Sequence, residues 1–390
     1  MHVVGAVRGD VRARRAAETL TKAGYEVSLV SVADEGGDSD GEVVKGVRTS
    51  HLKMSRSFLS KRFSQRSFYN AGSIFARGAL QLTRGKPDVY HALDLPALPA
   101  CYIASRLRGT PLIFESYEMP FESMASWEMT SGRRRLQRLV MPFLRRMIPR
   151  CAGVIAVSPP IVEEMKRCYQ LSRISLIRNI PPYRSVVKSH RLHRHLGLEP
   201  EKRIVLYQGH LQADRGLENL IRAAGFLDTN TVIVLMGEDT EGRRSHLEGL
   251  IDATGVADGV KIIPNVPYDE LLDWTASADL GMIVSPPTYS PNVRAMLPNK
   301  LFEFIMAGVP ILSSPLVAVE SILRSYGVGR VVASVEPADL AASIREMLAD
   351  DRGLASMRRN AADAARCELN WEKEERVLVG LYQEVLGDLA

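Results

Sequence analysis

SPNVRAMLPNKLFEFIMAGVPILSS, residues 290–314, reads as one period of a repeating pattern. Pro298 and Asn299 precede a helix from about Lys300 to Ala307, Gly308 stops it, and Pro310 opens a short apolar strand. Working outward, the same alternation recurs. Short apolar runs at residues 204–207, 232–236, 260–263, 280–284 and 331–333 flank helical stretches at 217–224, 246–253 and 301–307. Upstream, runs at 3–7, 27–32, 88–92, 112–114, 154–157 and 174–177 alternate with helices. One is capped by Asp10 and stopped by Gly24; another starts at Ser158 with Pro159 and Pro160 in its first turn. Strands buried on both faces and separated by helices predict an α/β fold with doubly wound parallel sheets.

The 390 residues suit two domains at roughly 100–200 residues each. The pattern sets the boundaries. Residues 1–180 form one Rossmann-like domain, and residues 181–202, rich in Pro, His and charge, break the rhythm as a linker. Residues 203–365 form the second domain. Residues 366–390 read as a terminal helix packing back on the first domain. Open α/β sheets bind ligands outside the carboxyl ends of their strands, so a cleft between two facing sheets is the expected site.

Composition is that of an ordinary globular protein, with 46% hydrophobic and 24% charged residues. The four cysteines, Cys101, Cys151, Cys168 and Cys367, form no CxxC pair, so neither a disulfide framework nor a zinc site is encoded and a cytoplasmic protein is expected. No apolar run approaches the ~18 residues of a membrane span, and Arg8 and Asp10 interrupt the place of a signal peptide. The net charge of +5 conceals an asymmetry: residues 1–180 hold 28 Lys+Arg against 16 Asp+Glu, and residues 181–390 hold 22 against 29. Much of the excess lies in residues 53–86 and 133–150. No nucleic-acid motif accompanies it. Apolar residues among the arginines of 133–150 permit a peripheral membrane contact, although packing of those residues on the sheet is the simpler reading.

The start of the 300–307 helix carries the chemistry. A helix N-terminus turns unpaired N–H groups and a positive dipole end toward an anion, and Lys300 adds a point charge suited to phosphate. Glu303, one turn on, suits a ribose diol. The alternative is a capped helix with both side chains solvated. PNKLFEFIMAGVPIL resembles the donor-site motif of family 4 glycosyltransferases, retaining enzymes of the two-Rossmann GT-B fold that use nucleotide-sugar donors. YQGHLQADRGLENLIRAA (207–224) resembles the family's Gly-Arg…Lys-Gly segment, IRNIPP (177–182) its hinge, and VRGDVRARR (7–15) an Asp-x-Arg segment. DVYHALDLPALPA (88–100) and FESYE (114–118) resemble its acceptor-side strands.

The resemblance implies a donor site made by Gly209, His210, Arg215, Pro298, Asn299, Lys300, Leu301 and Glu303. Lys300 and Arg215 would stabilise the leaving diphosphate. Arg215 stands where Lys is usual, His210 where Arg is usual, and Ala295 where a further acidic residue is usual. On the acceptor side it implies catalytic places for Tyr117, Glu118 and His91, and acceptor contacts from Asp94, Tyr117 and Arg8. Tyr117 replaces the His of many relatives and is a poor base at its unperturbed pKa of about 10. Glu115 is a further polar group of the same strand. His91 alone would read more simply as a structural histidine. No cofactor and no metal is expected: Asp38-Ser39-Asp40 has a metal-binding DxD form but lies in an acidic polar loop. No GxGxxG follows the first strand, which argues against a dinucleotide oxidoreductase. The partners expected are therefore a nucleotide-sugar donor and a saccharide, glycolipid or small-molecule acceptor. Two alternatives stay open: another GT-B reaction (epimerisation, hydrolysis or pseudo-glycosyl coupling) and a catalytically degenerate nucleotide-sugar binder.

Overall fold

The computed structural model describes residues 1–4, 10–34, 43–44, 46–54, 78–120, 123, 131–239 and 242–387. The chain divides into two compact units, Met1–Arg178 with Glu374–Ala390, and Asn179–Lys373.

The first unit holds eight strands among the described residues: β1 (His2–Val4), β2 (Ser28–Asp34), β3 (Val43–Val44), β4 (Val47–Met54), β5 (Tyr90–Leu93), β6 (Leu112–Ser116), β7 (Gly153–Ala156) and β8 (Ser175–Leu176). Their order is β3-β4-β2-β1-β5-β6-β7-β8. All neighbours run parallel except β3, which pairs antiparallel with β4 at the edge. β4 is a strand that the sequence pattern did not predict. It pairs with the whole length of β2, Ser28 opposite Arg48 through Asp34 opposite Met54. The helix Val11–Lys22 starts where Asp10 was expected to cap it, the Asp10 carboxylate accepting the Ala13 N–H at 2.8 Å. Ser158 likewise caps Pro159–Tyr169. The end of the chain completes this unit: Leu378, Leu381, Tyr382 and Val385 of the helix Trp371–Gly387 are buried, and Glu374 binds the Arg178 guanidinium at 2.6 Å.

The second unit holds β9 (Arg203–Gln208), β10 (Thr231–Met236), β11 (Val260–Ile263), β12 (Leu280–Ile283), β13 (Ile311–Ser313) and β14 (Gly329–Val331), ordered β11-β10-β9-β12-β13-β14 and parallel throughout. Alternate residues of β9 and β10 enter two separate cores. Ile204, Leu206, Val232 and Val234 pack on one face, with Val205, Tyr207, Ile233 and Leu235 on the other. This two-sided burial explains why the strands read as continuous apolar runs rather than alternating ones. The expected linker 181–202 is not bare chain. It contains the helix Arg191–Leu196, whose Leu192 joins the core, and the segment clusters with the second unit from Asn179 onward.

In each unit the strand order reverses beside the first strand, between β1 and β5 and between β9 and β12. Those two points, at the carboxyl ends of the strands, are where ligands bind in open α/β sheets.

Candidate active site

In the second unit β9 ends at Gln208 and the chain turns through Gly209, whose φ of +123° is strained for any residue with a side chain. A Cβ there would also meet Lys300 Nζ at 3.3 Å. The glycine therefore lets the lysine lie against the strand end. Lys300 Nζ sits 3.6 Å from the centre of the Tyr207 ring, a cation–π contact that holds the ammonium in place. Lys300 belongs to the helix Asn299–Met306, which begins directly after Pro298, one residue earlier than the sequence indicated. Asn299 is exposed and its Oδ1 accepts from Asn179 at 2.9 Å. Leu301 is fully buried and anchors the helix on the core.

Glu303, one turn further on, is only 7% exposed. Its Oε2 accepts from Gln208 Nε2 at 2.6 Å, and Gln208 Oε1 accepts from Thr275 Oγ1 at 2.8 Å. A relay of two neutral groups thus aims a buried carboxylate at the switch point. Neither Gln208 nor Thr275 was singled out in the sequence; the only available signal was that Gln208 ends a strand just before the strained glycine. Arg215 closes a 3-10 turn, Ala213–Arg215, and its Nη2 donates to Gln212 Oε1 at 3.1 Å. Gly216 follows with φ +71°, and a Cβ there would lie 2.2 Å from the Val284 carbonyl oxygen just beyond β12. That close approach brings the Arg215 loop to the end of the central strands. His210 is exposed, with Nδ1 3.7 Å from Glu238 Oε2. Gly209, His210, Arg215, Lys300 and Glu303 therefore gather at one end of one sheet.

In the first unit the ends of β5 and β6 form a second polar cluster. Asp94 follows β5 with φ 67°, unusual for a residue other than glycine, and its N–H donates to the Glu115 carbonyl at 2.9 Å. Its Oδ1 lies 3.4 Å from the Tyr117 N–H. Glu115 is buried between two cations or potential cations: Arg12, which donates to its Oε1, and His91, whose Nε2 lies 3.3 Å from its Oε2. Burial raises the Glu115 pKa, but Arg12 and His91 together outweigh it and the carboxyl is held below its usual range. Burial lowers the His91 pKa against the opposing pull of Glu115, and so favours the neutral imidazole. Burial raises the pKa of Asp94, Asp10 and Glu118, and neighbouring carboxylates add to the shift.

His91 is 1% exposed and its Nδ1 is 2.8 Å from the Tyr382 hydroxyl on the terminal helix. The sequence puts it in a catalytic place at a strand end; the structure puts it inside β5, where among the described residues its ring adjoins Glu115 and Tyr382. Tyr117 packs its ring 5.7 Å from the Arg12 guanidinium carbon. Its hydroxyl is buried without a hydrogen-bond partner among the described residues, and burial with nearby Glu115 and Asp10 raises its pKa well above 10. Arg8 and Asp38-Ser39-Asp40 lie outside the described residues. Among the described residues no three His, Cys, Asp or Glu side chains group as metal ligands.

The two halves of the chain match two family models in order, the glycosyl transferase 4-like domain over residues 9–180 and glycosyl transferases group 1 over residues 189–366. The chain belongs to the family 4-like glycosyltransferases. It is 23% identical to D-inositol 3-phosphate glycosyltransferase of Paenarthrobacter aurescens over 97% of this chain and 93% of that one. It is 26% identical to the protein of the same name from Thermobispora bispora over 77% and 72%. Among solved structures it resembles sucrose-phosphate synthase from Thermosynechococcus elongatus (TM-score 0.79, 17% identity, 99% of both chains). It also resembles Anabaena HepE in complex with UDP-glucose (TM-score 0.71, 15% identity, 100% and 99%). The fold of this glycosyltransferase is accordingly GT-B. The second unit with the Lys300–Glu303 cluster falls within the group 1 match, and the Glu115–Tyr117 cluster falls within the 4-like match.

Proposed function

We propose that this glycosyltransferase transfers a sugar from a uridine or guanosine diphosphate donor to a hydroxyl of an acceptor, with retention at the anomeric carbon and without a metal ion. The observation that supports the donor half most is the Gln208–Glu303 pair beside Lys300 and Gly209 at the β9–β12 switch point. Glu303, buried and oriented by Gln208, would accept from both ribose hydroxyls. Lys300 and Arg215, with the N–H groups at the start of the 299–306 helix, would take up the negative charge that develops on the diphosphate as the anomeric C–O bond breaks. The acceptor oxygen would form its bond on the face the diphosphate leaves, its proton passing to a diphosphate oxygen. A protein base is then unnecessary, which suits a tyrosine at position 117 whose hydroxyl does not ionise near neutral pH. In the first unit, Asp94 and Glu118 would accept hydrogen bonds from acceptor hydroxyls. The relatives named D-inositol 3-phosphate glycosyltransferase point to a polyol or sugar as the acceptor class.

The test is a titration with UDP, GDP, ADP and TDP followed by turnover of the matching nucleotide sugars, the product anomer being read by NMR. Glu303→Ala is expected to weaken nucleotide affinity tenfold or more, corresponding to about 1.5–3 kcal/mol for a charged hydrogen bond. Lys300→Ala is expected to lower kcat by roughly 10²–10³ with a smaller change in affinity. Unchanged affinity and turnover in both variants would remove the donor site from these residues.

A further inference from the structure

We propose that the outward face of the helix Ser131–Met147 is a docking surface for an anionic lipid bilayer. Residues 131–150 hold seven arginines and no carboxylate, and the helix lies between β6 and β7 of the first unit. Its inner face is settled: Leu144 is 1% exposed, as is Ile148 in the turn that follows, and both pack into the core. Its outer face is apolar where water would favour polar groups. Leu139 and Phe143, four residues apart and so adjacent on one stripe, are 62% and 65% exposed. Arg135 precedes them on the same stripe, and exposed Arg146 and Arg150 continue it, with exposed Arg138 and Arg145 beside it. A leucine–phenylalanine pair at the centre of an arginine field is the pattern of a helix lying in a membrane interface, its apolar side chains among acyl chains and its cations among headgroup phosphates. A groove of about 700 Å³ runs along the same helix, lined by Met141, Arg145, Pro149, Arg167, Cys168 and Gln170, with Arg167 paired to Glu164.

Charge complementarity selects the bilayer among possible occupants. A second copy meeting this face across a two-fold axis would set arginine against arginine. A polynucleotide would satisfy the arginines but leave Leu139 and Phe143 without apolar cover. An anionic bilayer satisfies both. The inference is independent of the donor and acceptor reading, because none of these residues belongs to either polar cluster.

The full chain is to be sedimented with phosphatidylcholine vesicles, with and without phosphatidylglycerol, at low and at high salt. Binding is expected to the anionic vesicles only and to weaken with salt. Arg135→Glu with Arg138→Glu is expected to lower the partition coefficient at least tenfold, and Leu139→Ser with Phe143→Ser to lower it comparably. All four positions are surface sites, so nucleotide affinity is expected to stay at wild-type level and reports that the variants are folded. In a Phe143→Trp variant the emission is expected to shift to the blue on addition of anionic vesicles. Absence of binding at low salt, equal binding to phosphatidylcholine alone, or unchanged binding by the variants would overturn the proposal. So would a dimer in solution that the Leu139 and Phe143 substitutions dissociate, which would assign the face to self-association.

Discussion

Glu303 and Lys300 are one helical turn apart, yet the fold gives them different tasks: the lysine rests on the Tyr207 ring and the glutamate is buried against Gln208. Their spacing was visible in the sequence, whereas the partners that orient them lie about 95 residues away in the chain and became visible only in the structure. Tyr117 is the converse case. Its hydroxyl makes no hydrogen bond to a described residue, so Tyr117→Phe is expected to leave thermal stability unchanged or raised by up to about 1 kcal/mol, while an acceptor contact would appear as a higher acceptor KM. A lowered melting temperature with unchanged KM would give the hydroxyl a purely structural role. His2 offers a test by pH. It is 2% exposed, its Nδ1 donates to the Val30 carbonyl at 2.9 Å, and burial lowers its pKa from 6.5 to about 4. Between these values the unfolded chain binds a proton that the folded chain does not, so stability is full above about 6.5 and declines as pH falls toward 4, by roughly 3 kcal/mol in total. Thermal unfolding between pH 7 and 4 is expected to show that decline and a His2→Gln variant to flatten it.

At the scale of elements, the terminal helix Trp371–Gly387 is the clearest dependence. Tyr382 touches His91, His91 adjoins Glu115, and Glu115 holds Arg12, whose Nη2 also donates to the Ile177 carbonyl at 2.8 Å. The helix Trp371–Gly387 thereby braces β5, β6, the residue that follows β8 and the first helix. Tyr382→Phe removes the hydroxyl from a buried imidazole and is expected to cost about 1–3 kcal/mol, measurable by denaturant unfolding. No loss of stability would show that His91 is held adequately by Glu115 alone. Most helices and the apolar strands were legible in sequence because capping residues, glycine stops and continuous apolar runs are local signals. β4 was not. VRTSHLKM lacks a continuous apolar run, and its strand identity comes from pairing with β2 rather than from its own composition.

For the molecule as a whole, each unit carries its own sheet, and the chain passes from one to the other at Arg178 and returns at Glu374. The cationic excess of residues 1–180 belongs to the unit with the Leu139–Phe143 helix. The proposed nucleotide site belongs to the unit with net negative charge, where Lys300 and Arg215 are placed beside glycine turns and an aromatic ring. Trp274 and Trp371 lie in the second unit and Trp127 in the first, so in a Trp127→Phe variant tryptophan fluorescence reports on the second unit. A nucleotide at a hundredfold excess over its Kd is expected to stabilise that transition by about 2.7 kcal/mol and raise its melting temperature. The gain is expected to vanish at the same concentration in Glu303→Ala. An equal gain in that variant would place the nucleotide elsewhere.

By itself the sequence determined the alternation of strands and helices, the division near residue 180, and the helix start that bears Lys300 and Glu303. Each is written in neighbouring residues, where periodicity, caps and stops act over a few positions. Only the tertiary structure decided which strands are central, that Gln208 and Thr275 orient Glu303, and that His91 is enclosed by Glu115 and Tyr382. The physical reason is distance along the chain. A hydrogen bond between residues 91 and 382 leaves no mark on the residues beside either, and the burial that makes such a bond matter exists only when the sheet has formed.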